Sequence, residues 1–245
     1  MKFIGVIPAR YDSSRFPGKP LVTLLGKPLV IWVAELTAKA LHKHNVFVAT
    51  EDTSIAEVVE SYGFQAILTS RKAMTGTDRI WEVAQHVDAD IYINVQGDEP
   101  LVNPEDILKI LAVKKKFPNE VINGICQIHP DENHNNANLP KVVTTEDMRL
   151  VYMSRLPIPG SKSKEIKLKA YWKQVCIYAF NKRELNAFGE FGRKSYLESI
   201  EDIEILRFLE LSIPVRMVET SGSSHAVDVP DDVAVVEAIL KKNKR

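Results

Sequence analysis

A doubly wound α/β fold with a mostly parallel, Rossmann-like sheet and a β-rich insertion is what this sequence predicts, on three observations. Short apolar runs alternate with helical stretches of about ten residues or more, the pattern of right-handed βαβ crossovers. The first run, Lys2 to Ile7, opens at Pro8 into a loop dense in cations and hydroxyls. A later run, Asp90 to Val95, ends in Gln96-Gly97-Asp98-Glu99-Pro100. Ligands of open α/β sheets sit beyond the carboxyl ends of the strands, so both loops belong to one edge.

Pro8 stops the first strand because it has no amide proton for the ladder and a fixed φ. Arg10, Ser13, Ser14, Arg15 and Lys19 follow, with Asp12 the only acid among them. That set suits a triphosphate: forked guanidiniums for paired oxygens, an ammonium as a point charge, hydroxyls between. An ordinary solvated loop is the other reading. Gly18 gives the loop backbone the dihedrals it needs.

Leu29 to Leu41 has apolar residues at helical spacing, and Asn45 to Thr50 reads as a second buried strand. Asp52 or Thr53 caps a helix through Tyr62, Gly63 ends it, and Gln65 to Leu68 is a third strand. At the next helix, Thr77 serves equally as N-cap, with Asp78 in the first turn, or as a ligand contact. A helix from Asn103 to Phe117 and a strand from Val121 to Ile128 come next, then a polar loop holding His129 and His134, which read as solvated. Lys141 to Thr145 and Arg149 to Met153 form a hairpin around Glu146-Asp147. Pro157 to Lys169, with Lys162, Lys164, Lys167 and Lys169, is a loop, either simply solvated or ordering over an anionic ligand. Val175 to Phe180 is a strand and Lys182 to Phe188 a short helix. Glu198 to Leu211 reads as one periodic helix, Val215 to Val218 as a strand, and Val229 to Leu240 as a closing helix.

The 245 residues, 45% hydrophobic and 26% charged, suffice for one domain, 1–245, with an insertion at about 129–195. Lys plus Arg and Asp plus Glu are 32 each, so no global field favours nucleic acid or an anionic membrane. No apolar stretch approaches the ~18 residues of a membrane span and no secretory leader is visible, which predicts a cytoplasmic protein. Cys126 and Cys176 sit in apolar runs and read as buried free thiols. From the residues alone, Asp98 is a turn acid or a metal ligand, and Asp228 an N-cap or a metal ligand.

The segment Pro8-Ala9-Arg10-Tyr11-Asp12-Ser13-Ser14-Arg15-Phe16-Pro17-Gly18-Lys19-Pro20 resembles the opening signature of the 3-deoxy-manno-octulosonate (Kdo) cytidylyltransferases. The similarity continues, in the family's order, through Gly76 to Arg79, Asn94 to Pro100, Tyr152 to Pro159, Leu197 to Glu201 and Val227 to Asp232. The resemblance implies a nucleotide-diphospho-sugar transferase fold, a homodimer through the inserted region, and transfer of CMP from CTP to the anomeric hydroxyl of a 3-deoxy-2-ulosonic acid. Pyrophosphate would leave, and the activated sugar would feed lipopolysaccharide or capsule. A non-catalytic nucleotide-sugar binding protein on the same fold is the rival.

The resemblance makes Arg10, Arg15, Lys19, Asp98 and Asp228 the catalytic set, with Mg²⁺ held by Asp98 and Asp228. It implies nucleotide contacts from Pro8, Ala9, Arg10, Ser14, Lys19, Thr77, Asp78 and Arg79, and sugar contacts from Gln96, Arg155, Gln174, Tyr178 and Glu198. Arg155 also suits a carboxylated substrate as a bidentate cation, or else pairs with a structural acid. Gln174 stands where the family usually has His, and it keeps donor and acceptor capacity without a cationic form. That departure leaves open a related acceptor, of the 8-amino-Kdo, sialic or legionaminic type.

Overall fold

β1 (Phe3–Pro8), β4 (Val46–Thr50), β5 (Gln65–Leu68) and β6 (Ile91–Val95) form the parallel half of one sheet, and a separate hairpin of two short strands, β2 (Thr23–Leu24) and β3 (Lys27–Pro28), falls between β1 and β4 in the chain. The computed structural model describes residues 1–13, 15–163, 170–222 and 225–243. Ser14 and the 164–169 part of the lysine-bearing loop, with Lys164, Lys167 and Lys169, lie outside the described residues. The helices of this half are α1 (Leu29–Leu41), α2 (Thr53–Ser61), α3 (Gly76–His86) and α4 (Pro104–Lys116). Their starts follow local chemistry: Asp52 caps α2 through Ser54 and Ile55, and Asn103 caps α4 with Pro104 in its first turn. The cap of α3 is Thr75 rather than Thr77, because Asp78 stands three positions after Thr75 and closes a capping box with it.

The second half adds β7 (Val121–Gln127), β8 (Lys141–Thr144), β9 (Leu150–Ser154), β10 (Trp172–Phe180), α5 (Lys182–Glu190), α6 (Tyr196–Glu201), α7 (Leu206–Glu210), β11 (Val215–Glu219) and α8 (Pro230–Asn243). The strand order among the described residues is β11-β7-β10-β6-β1-β4-β5, with β8 on β10 and β9 on β8. β10 runs antiparallel to both β6 and β7, whereas β11 is parallel to β7. The stretch 129–195 therefore supplies a strand to the middle of the sheet besides the β8-β9 hairpin, which joins the sheet through β10. The helix expected from Glu198 to Leu211 is broken. Asp202 takes the left-handed region at φ 49°, and Ile203 to Ile205 form the connection between α6 and α7. Apolar spacing survives the break, so periodicity alone reads through it.

Two cores flank the sheet. Val33, Ile55, Val59 and Ile107 of α1, α2 and α4 pack on one face. On the other, Ile80, Val83, Phe188 and Phe208 of α3, α5 and α7 cover Tyr92 and Phe180. A third cluster, Leu24, Leu29, Val227, Val236 and Leu240, pins α8 over the β2-β3 hairpin. A fully buried guanidinium, Arg207, ties the second face together: it bonds Asp78 of α3, Glu198 of α6 and the Phe188 carbonyl of α5, and stacks 3.6 Å from the Phe188 ring.

Candidate active site

The carboxyl ends of β1 and β6 open into a cavity of about 450 Å³. The loops after these strands are in contact: a Cβ on Gly97 would stand 2.7 Å from the Pro8 carbonyl oxygen, so only glycine lets them close. Gly18, at φ 68°, turns the first loop into the short 3₁₀ helix that begins with Lys19. Lys19 Nζ lies 2.6 Å from Asp98 Oδ2 and 3.6 Å from Asp228 Oδ1, and Arg15 is 3.1 Å from the same Asp228 oxygen. Asp228 comes from the far end of the chain. The Val227 amide donates to the Asp98 carbonyl, and the amides of Asp228 and Val229 donate to Asp232.

Of the residues singled out in the sequence, Pro8, Ala9, Arg10, Arg15, Lys19, Arg79, Gln96, Asp98, Arg155, Gln174, Tyr178, Glu198 and Asp228 line this cavity. Arg10 is exposed and enters no ion pair among the described residues. Arg79 is buried against Glu51 at 2.8 Å and bonds Thr69; burial pushes its pKa down. Thr77 and Asp78 are both buried beneath the cavity wall rather than in it. The Asp78 carboxylate is taken by the Thr75 amide and hydroxyl and by Arg207, which removes it from direct nucleotide contact. Glu198 reaches the wall, but its two oxygens are held by Arg207 at 2.6 Å each, so a sugar meets no free carboxylate there. Arg155 donates to the carbonyls of Ala137, Glu201 and Asp202, a use as a corner brace that leaves part of its fork over.

Three charged cavity residues, Glu204, Lys194 and Asp202, escaped the sequence reading. Glu204 follows the break after α6; its carboxylate accepts the Thr77 amide at 3.0 Å and faces Gln96, and burial pushes its pKa up. An acid between Ile203 and Ile205 inside an apolar run was the available signal. Lys194 bonds Asp202 at 2.8 Å. Cys176 is a free thiol in the wall whose pKa is raised by burial, while Cys126 is buried and free. His129 is exposed beside Asp131, and His134 stacks on Tyr171.

Asp98 and Asp228 thus converge on one cation, and no group of three or more His, Cys, Asp or Glu suited to a metal occurs among the described residues. Two carboxylates beside the cations Arg15 and Lys19 are the kind of donor set that Mg²⁺ uses, its other ligands being water and phosphate. A sequence model described as Cytidylyltransferase matches residues 4–215. The 3-deoxy-manno-octulosonate cytidylyltransferases of Syntrophobacter fumaroxidans and Geobacter metallireducens are 38% and 40% identical, over 99% and 98% of this chain and 98% and 99% of theirs. This chain belongs to the 3-deoxy-manno-octulosonate cytidylyltransferase family. A solved CMP:2-keto-3-deoxy-manno-octonic acid synthetase, complexed with CTP, is 35% identical and covers 99% of this chain and 100% of its own at a TM-score of 0.92. Family membership agrees with the doubly wound sheet and with the order of the motif blocks. Among the described residues no helix is long and apolar enough to cross a membrane.

Proposed function

We propose that this enzyme transfers CMP from CTP to the anomeric hydroxyl of Kdo and releases pyrophosphate. The observation that carries the reading is the convergence of Asp98 and Asp228 on Lys19 beside Arg10 and Arg15, at the mouth of a cavity whose wall also carries the hydrogen-bonding side chains of Gln96, Gln174 and Tyr178. Arg10, Arg15 and Lys19 hold the triphosphate and take up charge on the leaving pyrophosphate. Asp98 and Asp228 hold Mg²⁺, which when bound neutralises phosphate charge and acidifies the attacking hydroxyl. The Pro8 to Arg10 backbone and residues 74–78 flank the base, with Arg79 and Asp78 acting from behind as supports.

Gln96, Gln174, Tyr178 and Glu204 face the acceptor sugar, with Arg155 and Lys194 as the nearby cations for its carboxylate. No covalent nucleophile is needed, since attack of a sugar hydroxyl on the α-phosphorus depends on positioning and charge stabilisation. The enzyme works in the cytoplasm, where CTP is made, as a homodimer joined through the region 129–195. The test is pyrophosphate release with CTP, Mg²⁺ and Kdo, run beside ATP, UTP and other ulosonic acids. Release that needs CTP and Kdo together supports the reading; none with any acid overturns it in favour of a nucleotide-sugar binding protein.

A further inference from the structure

Asn123 lies in the middle of β7 and is completely buried, an expensive place for an amide unless every polar atom is used. Its Nδ2 donates to the carbonyls of Val175 at 2.9 Å and Ile177 at 3.1 Å. Those acceptors sit at the register shift of β10 against β7 between Val175 and Tyr178. Both amide hydrogens are then spent, which fixes the direction of Oδ1. That oxygen accepts from Gln174 Nε2 at 3.0 Å, and the second Gln174 hydrogen goes to the Tyr178 hydroxyl at 3.2 Å. Turning the Gln174 amide over would set two carbonyl oxygens against each other, so its orientation follows from the bonds around Asn123. The backbone under it is fixed as well, by the Gln174 amide donating to the Pro140 carbonyl at 3.0 Å. One polar atom of Gln174 keeps bonding capacity, the carbonyl oxygen Oε1, on a residue that lines the cavity with Tyr178 and Gln96.

We propose that Asn123 is a positioning residue that makes Gln174 present a carbonyl, and no N–H, to a hydroxyl of the acceptor sugar, and so sets acceptor specificity. The inference rests on the reading of this cavity wall as the acceptor side. A hydroxyl has the proton this oxygen requires; a carboxylate has none and is turned away towards the cations. Burial raises the pKa of the Tyr178 phenol well above its ordinary value, which keeps the neighbouring partner neutral through the working range.

The experiment is a double-mutant cycle on the enzyme with Asn123→Met, Gln174→Leu and both, reading KM for Kdo, KM for CTP and kcat separately. Each single change is expected to raise the Kdo KM roughly fivefold, the value of one neutral hydrogen bond. The CTP KM should hold and kcat should stay within about twofold. The double variant should be no worse than Gln174→Leu alone, because both changes remove one interaction. Among Kdo analogues each lacking one hydroxyl, a single one should lose that factor with the wild type and lose nothing with Gln174→Leu. An Asn123→Met effect that is absent, or that recurs undiminished in the Gln174→Leu background, overturns the proposal. Should Asn123→Met fail to fold, the Gln174 side-chain amide protons of the wild type decide: exchange slowed by two bonds supports it, and exchange as fast as an exposed glutamine overturns it. A wild type that releases no pyrophosphate defeats the function itself, and this exchange measurement then still decides the orientation.

Discussion

Arg207 and Glu198 face each other through two hydrogen bonds of 2.6 Å, with neither side chain reaching solvent. The same guanidinium bonds Asp78 at 2.8 Å, so one cation neutralises two buried acids from two different helices. These acids lie in motif blocks that the resemblance assigned to substrate, yet their oxygens are already occupied. Their contribution is to hold α3, α6 and α7 in place behind the cavity.

Removing the cation should therefore unfold rather than merely inactivate. Arg207→Met leaves two carboxylates buried without a partner and is expected to cost about 3–5 kcal/mol of stability, read by denaturant titration. Glu198→Gln should lower the melting temperature while the Kdo KM stays within about twofold. A large rise in that KM at unchanged stability would return Glu198 to the sugar site.

Asp98→Asn and Asp228→Asn should each lose most of the activity and fold normally. Both ion pairs to Lys19 are partly exposed, at 29% and 38% for the acids, so their loss should cost no more than about 1 kcal/mol. The amide keeps the volume but not the charge that holds Mg²⁺. Near wild-type rates at limiting Mg²⁺ in either variant would take that residue out of the metal site.

Glu120 gives a pH dependence with a definite sign. Burial opposes its charge, but hydrogen bonds from Arg216 at 2.7 Å and Arg149 at 2.9 Å outweigh it and hold the carboxyl below its ordinary value of 4.5. A depressed carboxyl adds stability above its unfolded pKa, and that stability is lost as pH falls through the folded value. The stability gap between the wild type and Glu120→Gln should therefore be full near neutrality and shrink steadily below pH 4.5. A gap that does not change with pH would count against this.

Leu156 and Ile200 are 72% and 63% exposed. Ser154 and Arg155 bond Glu201, which brings the segments carrying Leu156 and Ile200 together, and Tyr196, also exposed, shares the Ile200 face of α6 one turn away. Apolar side chains clustered on a surface mark an interface. Leu156→Glu with Ile200→Glu should convert a dimer into a monomer in sedimentation at micromolar concentration. A wild type that is already monomeric there would remove the dimer.

Much of this molecule is legible in the chain before any coordinates. The apolar spacing of Leu29 to Leu41 and the run Gln65 to Leu68 match α1 and β5 end to end, although only α1 buries its apolar face while β5 lies at the sheet edge with Leu68 exposed. The cationic loop and the Gly97-Asp98 turn were placeable on one edge because parallel strands put their carboxyl ends together. What escaped depended on contacts between distant residues. Nothing local announces that Asp78 will be claimed by Arg207, 129 positions later, or that Asn123 will be drawn to a bulge in β10. The break at Asp202 was hidden because a residue in the left-handed region leaves no trace in hydrophobic periodicity. Glu204 needed that break in order to reach Thr77.

The place of β7 in the sheet has a consequence for synthesis. Its two partners, β10 and β11, both lie later in the chain, so residues 121–127 emerge before either neighbour exists. Until residues 172–180 arrive, the apolar segment Val121 to Gln127 has two open edges and no place in the growing sheet. A nascent chain paused between these points presents an unpaired strand to its neighbours, the state in which intermediates associate. The parallel half around β1, β4, β5 and β6 is complete by then, so the delay falls on the side of the sheet that carries Gln174 and Tyr178. Slow elongation through this interval is thus where the protein is most exposed to misassembly, before the cavity wall that carries Gln174 and Tyr178 has formed.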